Sequence, residues 1–123
     1  MLAVVAACNS STSDSKASDS TAAPSTSSTN DLSSNPDYQK GLALVASNDC
    51  LTCHKIDEKL TGPAYREVAN KYENTDANVK MLAEKILKGG SGNWGNVPMT
   101  PHPALAEPDA EQMVKYILLL RNK

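Results

Sequence analysis

The sequence predicts an all-α domain of about four helices, preceded by a segment that cannot fold by itself. In the second part of the 123-residue chain, apolar residues recur at helical spacing, and no stretch shows convincing alternation with a period of two. Residues 9–34, in contrast, are nearly all Ser, Thr, Ala, Asn and Asp, with Leu32 as their single large apolar residue. Such a segment cannot bury enough surface to offset its ordering entropy. We therefore expect a disordered tether before a domain at residues 35–123.

Four helices are predicted in order along this domain. The first has Asn35 as its N-cap and Pro36 at its first position, an arrangement that helix N-termini favour. The third ends at Gly89, because glycine readily adopts the left-handed conformation that stops a helix. Residues 91–108 form a long irregular stretch, which in a small domain is usually functional. The predicted helices cover residues 36–47, 64–72 and 76–88, with a last helix that begins near residue 108.

The composition excludes one class of partner and indicates an incomplete core. From Asn35 onward, eleven Lys and Arg balance eleven Asp and Glu, and no basic stripe suggests a nucleic-acid partner. The chain has no Phe, one Trp and four Tyr, although aromatic side chains usually supply much of the buried area of a small domain. Domains this short are marginal without a disulfide, a metal or another staple. An additional apolar group in the core would remove this deficit.

Residues 50–54 read Cys-Leu-Thr-Cys-His, the C-x-x-C-H signature for covalent attachment of a c-type haem. The thiols of Cys50 and Cys53 can each add across one vinyl group of the same porphyrin, and His54 then brings an imidazole beneath the iron. We therefore predict one covalently bound haem c, with iron cycling between the ferrous and ferric states. Because helices can pack around this large apolar disc, we expect the haem-free chain to be largely unfolded.

Three other interpretations of the motif fit less well. A thioredoxin-like redox site needs a βαβ context, which the predicted helices do not provide. A structural zinc site needs four ligands, and the domain offers Cys50, Cys53, His54 and His102. Adjacent Cys53 and His54 can rarely both reach one tetrahedral ion. A plain disulfide would leave the histidine without a role.

Met99 is the predicted sixth ligand of the iron. It lies within Val-Pro-Met-Thr-Pro at residues 97–101, where the prolines stiffen the backbone and help a weak thioether ligand to stay bound. Met81 and Met113 lie in predicted helices, where core filling explains them. With both axial positions occupied, the iron has no open site for oxygen or peroxide. Electron transfer is therefore favoured over catalysis.

From about residue 36 to residue 121 the chain resembles the short bacterial class I monohaem cytochromes c. The resemblance is carried by Cys-Leu-Thr-Cys-His at residues 50–54, Gly-Pro-Ala-Tyr at 62–65 and Trp-Gly-Asn-Val-Pro-Met at 94–99. It implies the class I cytochrome c fold around one covalently attached haem, with the first and last helices crossing near Gly41 and Tyr116. It also implies a single-electron carrier that is not an enzyme.

The resemblance assigns roles to individual residues as well. It implies His54 and Met99 as the axial ligands, and the Pro63 carbonyl as acceptor of a hydrogen bond from the His54 ring. It further implies that the Trp94 indole reaches a haem propionate.

His102 departs from the pattern of this family, whose members often carry Asn three residues after the ligand Met, close to its sulfur. Two interpretations stay open. His102 is a surface-loop residue, or it is a titratable group that couples the haem potential to pH, since His changes charge near neutrality. It is also the one acid–base candidate in its loop for an alternative function, a haem-based peroxidase or gas sensor with a labile Met99 ligand.

The first residues of the chain predict export and a lipid anchor. This first segment covers residues 1–8. Its residues 2–8 are a short apolar stretch of mostly small residues that ends in Cys8 and resembles the lipobox of a bacterial lipoprotein, although it is truncated and has no basic residues before it. The stretch is too short for a transmembrane helix. A signal-peptide remnant, or a free thiol that forms a disulfide dimer, is the alternative.

An extracytoplasmic location is expected, in the periplasm or at the outer face of the cytoplasmic membrane, because C-x-x-C-H haem attachment requires export in bacteria. If Cys8 is acylated, the tether of residues 9–34 has a typical reach of about 25–30 Å. The expected partners are respiratory or photosynthetic membrane complexes, or a terminal oxidase or reductase. Lys55, Lys59 and Lys88 either steer an acidic partner to the haem edge or are simply solvated.

Overall fold

The computed structural model describes residues 31–122, and a set of mostly helical elements follows along them. They are a 3-10 turn at Leu32–Ser34, helices α1 Pro36–Ser47, α2 Cys50–Cys53, α3 Tyr65–Lys71 and α4 Asp76–Lys88, strands β1 Gly90–Gly92 and β2 Gly95–Met99, and helix α5 Glu107–Leu119. Helices α1, α3, α4 and α5 confirm the four predicted helices, and each begins within one residue of its predicted start. The predictions for Cys8 and for most of the tether lie outside the described residues.

The ends of the helices show why the sequence predicts them well. The Asn35 side chain accepts hydrogen bonds from the backbone N–H groups of Asp37 at 2.9 Å and Tyr38 at 3.4 Å, which satisfies two donors of the first turn of α1. The hydroxyl of Thr75 caps α4 in the same way. At the other end of α4, Gly89 has φ +66°, a conformation that side chains with a Cβ rarely adopt.

Helices α1 and α5 cross in close contact at Gly41, as the resemblance implied. A Cβ added at Gly41 would collide with the Cβ of Tyr116 and would lie 2.6 Å from the carbonyl oxygen of Gln112. The Gln112 amide also donates to the backbone carbonyl and the carboxylate of Asp37, at 3.2 and 3.1 Å. Glycine at this position therefore sets the distance between the two helices.

Replacing Gly41 with Ala should destabilise the haem-loaded protein by about 1–3 kcal/mol, because overpacking at this contact outweighs the better helix propensity of alanine. Guanidinium denaturation of the two proteins measures this difference. Ala43→Leu is the control, since Ala43 is exposed on the same helix and its replacement should change stability by less than about 0.5 kcal/mol. A Gly41→Ala protein as stable as the wild type would show that the helices do not approach this closely.

The core lies where α3, α4 and α5 meet, with α1 packed across α5. None of the polar or charged side chains within residues 31–122 is classed as buried. The largest fully buried side chains of the core are Val45, Met113, Val114, Tyr116 and Leu118. The core is therefore apolar and depends mostly on α5.

Helix α3 is fixed to the end of the chain by polar contacts. Arg66 donates to the carbonyl oxygen of Leu120 at 2.7 Å and forms an ion pair with Asp57. Asn70 and Asn122 exchange two hydrogen bonds of 2.9 and 3.1 Å. These contacts hold α3 against the residues that directly follow α5.

The prediction that no strands form is wrong for residues 90–99. Strands β1 and β2 pair antiparallel, with Gly90 opposite Met99 and Gly92 opposite Gly95. The three glycines have φ between +110° and +120°, and they carry no side chain that could show a period of two. The sequence therefore contains no periodic signal for the hairpin that carries Met99.

The described structure begins before the predicted domain boundary at Asn35. Leu32–Ser34 form a 3-10 turn, and the Gln39 side chain of α1 donates to the Ser33 carbonyl at 2.7 Å. These residues belong to the segment that we expected to be disordered, so order extends a few residues further towards the N-terminus. Within residues 31–122, no helix is both long and apolar enough to cross a membrane.

Candidate functional site

The Cys-x-x-Cys-His motif lies on a single helical turn, α2. Cys50 and Cys53 are three positions apart on this turn, both are free and partly buried, and residues at this spacing share one face of a helix. The turn ends at His54, whose backbone N–H donates to the Cys50 carbonyl at 3.0 Å. The local backbone thus presents both thiols together and places the imidazole directly after them.

The His54 ring is held on several sides. Its Nδ1 lies 2.7 Å from the Pro63 carbonyl oxygen, which can only accept, so Nδ1 carries the proton and Nε2 keeps a free lone pair. The ring stacks on Tyr65, with centroids 5.1 Å apart and planes 20° apart. A Cβ at Gly62 would lie 2.5–3.0 Å from three ring atoms, so only glycine fits there. This imidazole is prepared to bind a metal through Nε2.

Tyr65 connects the motif to the core. It is buried, it hydrogen-bonds to the Cys50 thiol, and its ring meets that of Tyr116 edge-on with centroids 6.4 Å apart. Burial raises the pKa of the Cys50 thiol, while the hydrogen bond from Tyr65 partly opposes this effect. Burial likewise raises the pKa of the Tyr65 phenol. Before the haem is attached, both groups are therefore neutral at physiological pH.

A cavity of about 440 Å³ brings the predicted site residues together. Its wall includes Cys50, Cys53, His54, Pro63, Trp94 and Met99. Apolar side chains from all four long helices complete much of it, among them Val45, Val68, Leu82, Ile86 and Ile117. Residues 50–54 and 94–99 are far apart in the sequence, and the fold places both at one cavity.

These residues fit a covalently attached haem. Two free thiols share one helical turn, an imidazole has its tautomer fixed, and a thioether, that of Met99, lies in the same apolar cavity. Thioether and imidazole are both established axial ligands of haem iron. A zinc site finds less support, because within residues 31–122 no group of three or more His, Cys, Asp or Glu side chains is placed to hold a metal ion.

The cytochrome c family model matches residues 38–121. The chain belongs to the cytochrome c family. Cytochrome c-551 of Azotobacter vinelandii is 41% identical over 80 residues, which are 65% of this chain and 96% of that protein. Cytochrome c-552 of Hydrogenobacter thermophilus is 42% identical over 78 residues, covering 63% of this chain and 79% of that protein.

Solved structures agree with this cytochrome in fold. The crystal structure of Nitrosomonas europaea cytochrome c552 superposes with a TM-score of 0.61 at 38% identity, covering 64% of this chain and 98% of that one. The class 1 cytochrome MtoD of Sideroxydans lithotrophicus shares the fold, with a TM-score of 0.56 at 23% identity over 67% of this chain and 94% of that one. The expected class I cytochrome c fold is confirmed.

Family membership also establishes the cofactor and the general function. This cytochrome carries one covalently attached haem c, to which Cys50, Cys53 and His54 fit, and it is a small monohaem electron carrier. When bound, the haem supplies a one-electron couple between ferrous and ferric iron. The protein supplies the binding, the orientation and the electrostatics of the site.

His102 lies in the cavity wall and is only partly exposed. Its backbone N–H donates to the Ile86 carbonyl at 3.0 Å, which ties the loop after β2 to α4. Its Nδ1 is enclosed and has no hydrogen-bond partner among the described residues. The interpretation of His102 as a surface-loop residue therefore does not describe its position.

One group of contacts beside the cavity could not be predicted from the sequence. The ammonium of Lys71, at the end of α3, lies 4.6 Å from the centroid of the Trp94 ring and 5.5 Å from that of Tyr72. It also donates to the Asn93 carbonyl at 3.5 Å. No local pattern connects residue 71 with residues 93 and 94, because the fold alone brings them together.

Proposed function

We propose that this cytochrome shuttles single electrons between extracytoplasmic redox proteins through a haem c whose iron is ligated by His54 and Met99. The observation that carries the proposal is the 2.7 Å contact between His54 Nδ1 and the Pro63 carbonyl, in the same cavity as the Met99 thioether. The Pro63 carbonyl thereby orients the His54 imidazole, and the Met99 thioether lies in the wall of the same cavity. A haem with both axial positions occupied transfers electrons and has no position free for a substrate.

The residues of the chain set the properties of this couple. The Pro63 carbonyl orients the His54 imidazole and raises its basicity. A thioether such as Met99 raises the reduction potential relative to a second imidazole. The apolar wall disfavours the extra positive charge of the ferric state, and none of the charged side chains among residues 31–122 is buried to offset this. Each of these three effects acts without moving the chain.

Voltammetry of the purified haem-loaded protein, with and without carbon monoxide, tests the proposal. We expect a reversible one-electron wave that carbon monoxide does not change, because Met99 occupies the sixth position. A wave that shifts on addition of carbon monoxide, or that shows catalytic current with peroxide, would instead support the alternative of a peroxidase or gas sensor with a labile Met99.

We further propose that the protein is exported and anchored through an acylated Cys8, with the residues between Cys8 and the 3-10 turn at Leu32–Ser34 as a tether. Two observations support this proposal. Haem attachment at a C-x-x-C-H motif requires export in bacteria, and residues 2–8 resemble a lipobox. Anchoring would raise the effective concentration of the haem domain near respiratory or photosynthetic membrane complexes. Mass spectrometry of protein extracted from membranes should show an acyl mass that Cys8→Ala removes, and a soluble, unacylated wild type would contradict anchoring.

The charges around Lys55 and Lys88 do not favour electrostatic steering of an acidic partner. Lys55 pairs with Glu58 at 3.2 Å, and Lys88 pairs with Glu84 at 3.5 Å. Of Lys55, Lys59 and Lys88, the first and the last each have a neighbouring carboxylate that offsets their charge at long range. We therefore expect partner recognition to depend little on them.

A further inference from the structure

The hairpin that carries Met99 has few contacts of its own with the helices. The residues of β1 and β2 are exposed except Met99, and a Cβ at Gly92 or Gly95 would meet no atom within 4 Å. Of the hairpin side chains, Trp94 and Met99 pack against the core. The base of the hairpin is fixed by the pairing of Gly90 with Met99, so its tip needs another support.

Lys71 supplies a contact at this tip. Its ammonium lies within 6 Å of the Trp94 and Tyr72 ring centroids, the range in which a cation is attracted to the face of an aromatic ring. It also donates to the carbonyl of Asn93, the residue between the two strands that precedes Trp94. No carboxylate within residues 31–122 pairs with Lys71 by an ion pair, so its charge is directed at the hairpin.

The support to which Lys71 is attached is rigid. Helix α3 buries Tyr65, Val68 and Ala69 in the core, and Arg66 and Asn70 bind the end of the chain. Lys71 is the last residue of this helix. A contact from this position connects the hairpin side of the cavity wall to a helix that is buried in the core.

We propose that Lys71 is a positioning residue that straps the hairpin tip to α3 and thereby keeps Met99 at the haem iron. The proposal rests on the proposed His54/Met99 ligation. Lys71 contacts Trp94, and Trp94 and Met99 are the two side chains by which the hairpin packs onto the core. Without the strap, the hairpin moves away from the cavity more often, and the thioether leaves the iron more often.

The test measures how fast the ferric iron becomes free of Met99. Cyanide at saturating concentration binds at the rate at which the thioether departs, and the loss of the far-red sulfur-to-iron absorption band reports it. Lys71→Met keeps the length of the side chain but removes its charge, and we expect binding to become roughly two- to fivefold faster, the factor that an exposed cation–aromatic contact supplies. Lys71→Arg, which keeps the cation, should bind cyanide at close to the wild-type rate.

Lys80→Met is the matched control for net charge. Lys80 is exposed on α4, and its replacement removes the same charge without touching the hairpin, so its rate should equal that of the wild type. Amide hydrogen exchange gives a second measurement that does not depend on cyanide. In Lys71→Met, amides of residues 93–99 should exchange faster, while those of α5 should exchange as in the wild type.

The outcomes separate the strap from the ligation on which it rests. A wild type that shows the far-red band, together with Lys71→Met that binds cyanide at the wild-type rate, would overturn the strap and leave the ligation intact. Equal acceleration by Lys71→Met and Lys80→Met would also overturn it, because charge alone would then be responsible. A wild type without the band would contradict the His54/Met99 ligation itself and remove the basis for the strap.

Discussion

Replacing Met99 with Ala should abolish the far-red band of the ferric protein, lower the midpoint potential and allow carbon monoxide to bind ferrous iron. Met99 is the half-buried end of β2 and lies in the cavity wall with His54. Removing a thioether ligand removes its preference for ferrous iron, and axial ligands as a whole set haem potentials over a range of about 0.8 V. We therefore expect a shift larger than any produced by a surface substitution. Absorption spectroscopy and voltammetry measure both effects.

Two other methionines provide the controls for this prediction. Met113 also lines the cavity but is fully buried in α5, and Met81 is 43% exposed on α4. Met113→Leu and Met81→Leu should both keep the far-red band. If Met113→Leu lost the band and Met99→Ala kept it, the sulfur ligand would come from α5 and the assignment of Met99 would be wrong.

Replacing both Cys50 and Cys53 with Ala should abolish covalent haem attachment and, once the haem is extracted from the variant, leave a chain with little stable tertiary structure. The cavity of about 440 Å³ would then have no apolar occupant, whereas natural cores contain few voids larger than a water molecule. Its wall includes core residues such as Val45, Met113 and Ile117, which would be exposed to water. Far-UV circular dichroism and thermal melting measure the loss.

The control for this variant is the wild-type chain produced in a host without haem attachment. It keeps both thiols and lacks the haem, so it should be as unfolded as the double variant. If either haem-free protein kept native-like helix content and melted cooperatively, the helices would be sufficient for the fold and the haem would not complete the core.

The helices could be predicted because their signals are local. The Asn35 cap and the positive φ of Gly89 each depend on residues within one turn, and both lie where the sequence predicts them. The close crossing at Gly41 could not be predicted from helical spacing. It depends on Tyr116 of α5, and it was expected because of the resemblance alone.

The hairpin and the short helix α2 had no comparable signal. Strand β1 is Gly-Ser-Gly, which shows no alternation, and the four residues of α2 are too few to show a helical period. In the site, the motif at residues 50–54 is contiguous and was therefore readable. The contacts of Lys71 with the hairpin tip, like the enclosure of His102 Nδ1, join parts of the chain that only the fold brings together.

The most direct test of the proposed function is the visible absorption spectrum of the purified protein, first oxidised and then reduced. We expect sharp c-type bands on reduction and the weak far-red sulfur-to-iron band in the oxidised state, as His54 and Met99 ligation requires. Haem bands that lack the far-red band and shift with carbon monoxide would mean an open iron site. That result would contradict the proposed function as an electron carrier with His54 and Met99 ligation. Protein from a host competent in export and haem attachment that showed no haem bands would contradict the cofactor as well.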